Sequence, residues 1–285
     1  MSGTPPSPWR LRERTETSVG AIATDRFGDG PPVILTHGTP VWSYLWREVA
    51  AELARTHTVH VWDLPGYGDS SLADGVGPSI AVHARALADL VEIWGLREPA
   101  LVGHDIGGAT VLRAHLLEGA PVRAFALIDA AILAPWLTPV AEHMQEHIEV
   151  YRGMPHTTFH AIAVAHLDSG TRPGLRATAR SAYLERYAGV PGQQRWLDQV
   201  ERFTEDDTRD VVARLGEIDV PTQVLWGAHD SWLPPETAVR LAERIPGAAH
   251  TVLDGAGHFT PEDAGGAVTR ELRRLLARAD SRSTV

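Results

Sequence analysis

The chain has 285 residues, 44% hydrophobic and 22% charged, which is ordinary globular composition with length enough for a sizeable core. A formal net charge of −10 without a basic stripe argues against nucleic acid as a partner, and the absence of cysteine excludes disulfides, thiolate metal sites and a cysteine nucleophile. No run of eighteen apolar residues exists to cross a membrane, and residues 1–16, rich in Pro, Ser and Arg, lack a signal peptide's apolar core, so a cytoplasmic protein with no membrane partner is expected.

In chain order, residues 17–27 alternate weakly and run into Gly28-Asp29-Gly30, which reads as a strand followed by a hairpin turn. Residues 33–36 form a short apolar strand ending in His37-Gly38-Thr39-Pro40. Residues 46–56 carry helical spacing, 57–62 are β-branched and aromatic, and Asp63-Leu64-Pro65-Gly66-Tyr67-Gly68-Asp69-Ser70 is a turn-rich loop. Residues 79–94 form an amphipathic helix that Ser79 can cap. A buried strand over 99–102 enters Gly103-His104-Asp105-Ile106-Gly107-Gly108, and a helix follows to Leu117. Further strands span 122–128, ending at Asp129, then 221–226, ending at Gly227-Ala228-His229-Asp230, and 250–253, ending at Asp254-Gly255-Ala256-Gly257-His258. Helices cover 235–244 and 263–279, and the tail after Ala279 is expected to fray.

Strands alternating with helices at this spacing predict an α/β fold, a mostly parallel central sheet with helices on both faces. Residues 133–215 break the alternation and are helical throughout, so the core is expected over 1–132 and 216–285 with a helical cap inserted between. In such sheets ligands bind beyond the carboxyl ends of the strands, and every notable polar motif lies there.

Gly103 to Gly107 has the strand-turn-helix context of a nucleophile elbow, with Asp105 where an esterase holds serine. A carboxylate is already ionised and can attack an electrophilic sp3 carbon directly, leaving an alkyl-enzyme ester. A base is then needed only for the hydrolytic water, and His258 follows a strand end through a Gly-rich turn. Asp230 and Asp129 are both candidates to orient it. Asp230 is favoured, because nucleophile, acid and base then follow the chain order Asp105, Asp230, His258. The losing acid is expected to cap a helix. The oxyanion donors are expected to be the backbone amides of Ile106 and Thr39, with His37 a structural bond to its loop. His143-Met144-Gln145-Glu146-His147 fits a zinc-peptidase pattern but lacks a downstream ligand set; it reads as a solvated helix face, and no metal or cofactor is expected.

Taken together, these motifs resemble the α/β-hydrolase superfamily, in particular its Asp-nucleophile branch of epoxide hydrolases and haloalkane dehalogenases, over about residues 27–277. His37-Gly38-Thr39-Pro40 matches the H-G-x-P loop, Gly66 to Ser70 the G-x-small-x-Ser/Thr loop, and Gly103 to Gly108 the epoxide-hydrolase elbow. The departures matter as much. Haloalkane dehalogenases hold halide with a Trp after the nucleophile and usually an Asn in the H-G-x-P loop, where this chain has Ile106 and Thr39. Fluoroacetate dehalogenases place an Arg after the nucleophile. Epoxide hydrolases accept an apolar residue there and use cap tyrosines on the epoxide oxygen, for which Tyr183, Tyr187 or Trp196 are candidates; Trp136 is expected in the pocket wall. The resemblance implies an epoxide hydrolase giving a vicinal diol, and the apolar, aromatic character of the inserted helices points to a mainly hydrophobic small-molecule substrate. The alternatives are a dehalogenase with atypical halide binding, a cofactor-free lyase, isomerase or cyclase, and a non-catalytic small-molecule binder.

Overall fold

The structure is a computed structural model that describes residues 9–282. Its strands are β1 (Glu13–Thr17), β2 (Gly20–Phe27), β3 (Pro32–Thr36), β4 (Thr58–Trp62), β5 (Ala100–His104), β6 (Ala124–Ile128), β7 (Thr222–Gly227) and β8 (Ala249–Leu253). They form one sheet in the order β1-β2-β4-β3-β5-β6-β7-β8, antiparallel at β1/β2 and β2/β4 and parallel elsewhere. The hairpin falls one strand earlier than the sequence suggested. It joins β1 to β2 at Ser18-Val19, whereas Gly28-Asp29-Gly30 links β2 to β3 without pairing them. β1 escaped notice because ERTET is an exposed edge strand that buries almost nothing.

Between strands run α1 (Arg47–Leu53), α2 (Ile80–Ile93) and α3 (Ile106–Leu116). Between β6 and β7 come α4 (Pro139–Glu146), α5 (Ile148–Arg152), α6 (His156–Ser169), α7 (Ala177–Glu185), α8 (Gly189–Glu201) and α9 (Asp206–Ala213), with no strand among the described residues. The chain closes with α10 (Thr237–Ala242), α11 (Thr260–Asp263) and α12 (Gly265–Arg282). Residues 280–282 continue α12 where a frayed tail was expected; 283–285 and the polar residues 1–8 lie outside the described residues. The Ser79 side chain accepts from the Val82 amide at 3.2 Å and caps α2, a contact typically worth about 1 kcal/mol.

The central strands are apolar on both faces because both are covered. Alternate residues sort accordingly. Ile34, Leu101, Phe125, Leu127, Val224 and Trp226 belong to the core shared with α2, α3 and α10. Val33, Leu35, Val102, Ala126, Ile128 and Leu225 belong to the core shared with α1, α12 and the inserted helices. The parallel register sets Thr36 beside Gly103, His104 beside Ile128, and Gly227 beside Leu253, so the strands end along one edge and the polar turns gather there.

The inserted segment is fastened to that edge at several points. Arg186 reaches Asp69 through two hydrogen bonds, and Gln199 donates to the Gly66 carbonyl at 2.9 Å. Glu262, buried on α11, takes both Arg47 guanidinium nitrogens at 2.6 and 2.8 Å and the Tyr183 hydroxyl at 2.5 Å. Removing one partner of such a buried pair strands the other charge and costs about 3–5 kcal/mol. Glu262→Ala is therefore expected to lower unfolding stability by about 3 kcal/mol, measured by urea denaturation; a change below 1 kcal/mol would show the cluster to be solvated.

His37, His83 and His104 are fully buried, and burial lowers them to about 4, 3 and 3 respectively. Below a typical unfolded histidine value of about 6.5 the unfolded chain binds protons that these rings refuse, so stability falls as pH falls. Each contributes a slope of up to about 1.4 kcal/mol per pH unit. Unfolding free energy should drop steeply from about pH 6.5 to 5, above most carboxylate titration. A flat profile over that window would contradict the neutral, buried state of the three rings.

Candidate active site

β5 ends at His104 and α3 begins at Ile106, leaving Asp105 alone to turn the chain. It does so at φ 54, ψ −127, a conformation unfavourable for any residue with a side chain and of order 1–3 kcal/mol in strain. The surroundings hold it there. Its amide donates to the Ile128 carbonyl at 3.1 Å, and its carbonyl accepts from Gly108 and Ala131 at 2.9 and 3.1 Å. The Ile106 amide donates to the Asp105 Oδ1 at 2.6 Å, fixing the carboxylate over the helix N-terminus.

Gly38 of the His37 loop lies directly on this turn: a Cβ there would sit 2.4 Å from the Asp105 Cβ. His37 stiffens the loop from inside, accepting from the Leu64 amide through Nε2 at 2.9 Å and donating through Nδ1 to its neighbour's carbonyl at 2.8 Å. Two backbone contacts of opposite sense require one neutral tautomer, in keeping with a ring that burial lowers to about 4. The Thr39 amide is not engaged by a protein acceptor among the described residues, and Thr39 lines the cavity above Asp105.

His258, buried, places Nδ1 3.0 Å from the Asp230 Oδ2 and Nε2 3.6 Å from the Asp105 Oδ2. Asp230 is fixed in turn, its Oδ1 accepting from the Trp232 and Leu233 amides at 2.8 and 2.9 Å. The His258 carbonyl accepts from His104 Nε2 at 2.9 Å, and the Trp232 ring stacks on the His258 imidazole at 4.6 Å. Burial works against a charged imidazole here, but Asp230 and Asp105 outweigh it, and His258 titrates well above an ordinary histidine.

The structure thus brings Asp105, His258, Asp230, Ile106 and Thr39 together. Asp129, the other acid, ends β6 with φ 45, and its Oδ1 accepts from the Gly227 amide at 2.7 Å. It ties two strand ends and caps no helix, unlike the expectation. Burial, then the charge of Asp230, raises its carboxyl well above the usual range.

A cavity of about 550 Å3 of atom-free space, partly open to solvent, rises from Asp105 into the inserted helices. Apolar groups dominate its wall, among them Ile106, Trp136, Met144, Val200 and Phe203. Trp196 and Trp136 line it, the latter with its indole N–H given to Thr208 at 3.1 Å. Tyr183 and Tyr187 do not line it. The Tyr183 hydroxyl donates to Glu262 and the Tyr187 hydroxyl to Gln199 at 3.1 Å, and burial raises both phenols. Both are framework groups, because the framework carboxylate and amide captured them first. Three groups near the site gave no sequence signal. His104 and Tyr67 sit inside motifs that already had other readings, and His166 lies within an unremarkable helix. The His143 and His147 rings are 4.6 Å apart, and His143 Nδ1 is 2.9 Å from the Tyr151 hydroxyl; among the described residues no acidic or histidine group completes a metal set with them.

Residues 31–264 match the family model of the alpha/beta hydrolase fold. Haloalkane dehalogenase 2 of Mycobacterium tuberculosis is 28% identical over 87% of this chain and 89% of its own length. A 2-hydroxy-6-oxo-2,4-heptadienoate hydrolase of Pseudomonas putida is 26% identical over 89% of this chain and 91% of its own. Among solved structures, an alpha/beta hydrolase fold protein from Burkholderia ambifaria is similar with a TM-score of 0.89 and 32% identity, covering 93% of this chain and 98% of that one.

Because Asp105 contributes to holding the proton on His258, Asp105→Asn is expected to lower the His258 pKa, by more than one unit, readable from imidazole nitrogen shifts across a pH titration. An unchanged value would mean that Asp230 alone sets it.

Proposed function

This chain is a hydrolase of the α/β-hydrolase fold family, and we propose that within it the chain is an Asp-nucleophile enzyme that opens epoxides to vicinal diols through an alkyl-enzyme ester. The observation that carries the reading is the carboxylate at the elbow, poised under an apolar cavity and 3.6 Å from an imidazole that a second carboxylate orients.

Asp105 attacks an epoxide carbon, the C–O bond breaks, and the oxygen takes the proton that His258 carries. Esterification also removes the negative charge of Asp105, so the imidazole loses one of the two carboxylates that held its proton. It is left as a neutral base when hydrolysis needs one. Water then gives its proton to His258 and attacks the ester carbonyl. The Ile106 amide, already aimed at Asp105, and the Thr39 amide hold the oxyanion. Collapse expels the diol as its alkoxide, which takes the proton back from His258, and the proton left on the Asp105 carboxyl then passes to the neutral imidazole, which restores the starting charges. The helices over 133–215 serve as a cap that keeps bulk water from the ester. Their ties at Asp69, Glu262 and Ser169 favour a fixed roof over a swinging lid.

One observation favours dehalogenation as a second reading. The Tyr67 hydroxyl donates to the Thr39 Oγ1 at 3.2 Å, leaving the Thr39 O–H to point at a leaving atom. Ile106 supplies no side-chain N–H beside it, which favours the epoxide.

The test is intact-protein mass spectrometry of His258→Gln exposed to styrene oxide and to 1-bromobutane. Alkylation proceeds without His258, since Gln still offers an N–H, but hydrolysis loses its base and the ester accumulates. A mass gain of one whole epoxide, mapped to Asp105, is expected. A gain of one haloalkane less hydrogen halide would make the enzyme a dehalogenase, and a folded protein that gains nothing would sink the covalent mechanism.

A further inference from the structure

The cavity contains polar groups from the inserted helices that no protein atom satisfies. The Trp136 indole, the Thr138 hydroxyl, Tyr183 and Tyr187 all have partners. The His166 imidazole and the Trp196 indole N–H have none among the described residues, and both residues line the cavity. They are neighbours: the rings meet edge to face, 6.0 Å between centroids.

The position of His166 is built, not incidental. Its ring lies flat on Trp232 at 4.2 Å and 14°, and Trp232 also stacks against His258 at 4.6 Å and 28°. The Trp232 indole donates to the Ser169 Oγ at 2.9 Å, and that hydroxyl donates to the His166 carbonyl at 2.7 Å. Ser231 adds a bond to the Ser169 carbonyl at 2.8 Å. The last turn of α6 is therefore bolted to the loop that carries Asp230, and the ring of His166 is aimed by the same tryptophan that backs the base. Neither nitrogen of this imidazole is engaged by the protein among the described residues, so both are free to bond a ligand atom in the cavity.

We propose that His166, with Trp196 beside it, is the oxygen-binding subsite of the cavity, holding the one polar atom of an otherwise apolar substrate. Trp196 can only donate, so it suits an epoxide oxygen or the alkoxide formed from it. Neutral imidazole presents either a donor or an acceptor nitrogen by exchanging tautomers, so His166 suits the epoxide oxygen before opening and the hydroxyl after it. Burial, then the charge of His258, lowers His166 to about 4, which keeps both options open at neutral pH. The subsite deepens the epoxide reading and rests on it only for the identity of the oxygen. It replaces the captured tyrosines with a pair whose spacing carries no family signature.

The experiment is a tryptophan-fluorescence titration of the wild-type protein with 1-phenyl-1,2-ethanediol and with ethylbenzene, the same apolar frame without oxygen. His166→Phe keeps a flat ring on Trp232 and removes both nitrogens. It is expected to weaken diol binding at least tenfold and to leave ethylbenzene within twofold. His166→Gln, which restores a donor and an acceptor, is expected to recover most of the loss and guards against a packing effect. Equal weakening of both ligands, no weakening of the diol, or a wild-type protein that binds diol no tighter than ethylbenzene would each overturn the subsite. The adduct experiment is read separately. Diol discrimination without any adduct would remove the Asp105 ester and keep His166. An adduct without diol discrimination would remove His166 and keep the ester.

Discussion

Three ionisable groups lie buried side by side: Asp105, His258 and Asp230, all at most 7% exposed. Burying two carboxylates is tolerable only because an imidazolium lies between them and backbone amides satisfy their remaining oxygens. Most of the local structure follows from supplying those amides. The turn at Trp232 and Leu233 serves Asp230, and the first peptide of α3 serves Asp105. The tightness of the elbow serves the same end, since Gly38 has to approach within contact of Asp105 for the His37 loop to reach the site.

The same constraint explains how the inserted helices are attached. A buried charge set needs a roof, and a roof that drifts would let water in. The attachments are correspondingly polar and specific. Phe259 donates its amide to the Gly170 carbonyl at 2.7 Å, and the Arg172 amide donates to Asp263, whose same oxygen takes the Gly257 amide. The end of α6 is thus joined to the loops that carry Asp230 and His258. Helix order above the sheet and proton position below it are two aspects of one packed unit.

Much of this was legible in the chain. Strand and helix order followed from apolar periodicity, because parallel strands buried on both faces have to be apolar at consecutive positions and their helices have to be amphipathic. The gathering of His37, Asp105, Asp129, Asp230 and His258 on one edge followed from each standing just past a strand end. The exceptions are informative. β1 was silent because an edge strand needs no apolar face, and α12 ran through 282 because a polar helix end in the sequence looks like a polar tail.

What the sequence determined by itself was the fold and the inventory of reactive groups, since both rest on short-range pattern: periodicity of two or 3.6, and the residue that follows a strand. What only the tertiary structure decided was which group faces which. Two strand-end carboxylates looked alike, and a contact of 3.0 Å to His258 separates Asp230 from Asp129, whose oxygen is turned to a neighbouring amide. Three aromatic candidates in the inserted helices also looked alike; Glu262, seventy-nine residues from Tyr183, and Gln199 had taken the hydroxyls of two. His166 carried no local signal at all, because its significance lies in a stack of rings drawn from three distant segments. Hydrogen bonds and ring contacts act over a few ångströms of space, whatever the separation along the chain, and only packing sets that distance.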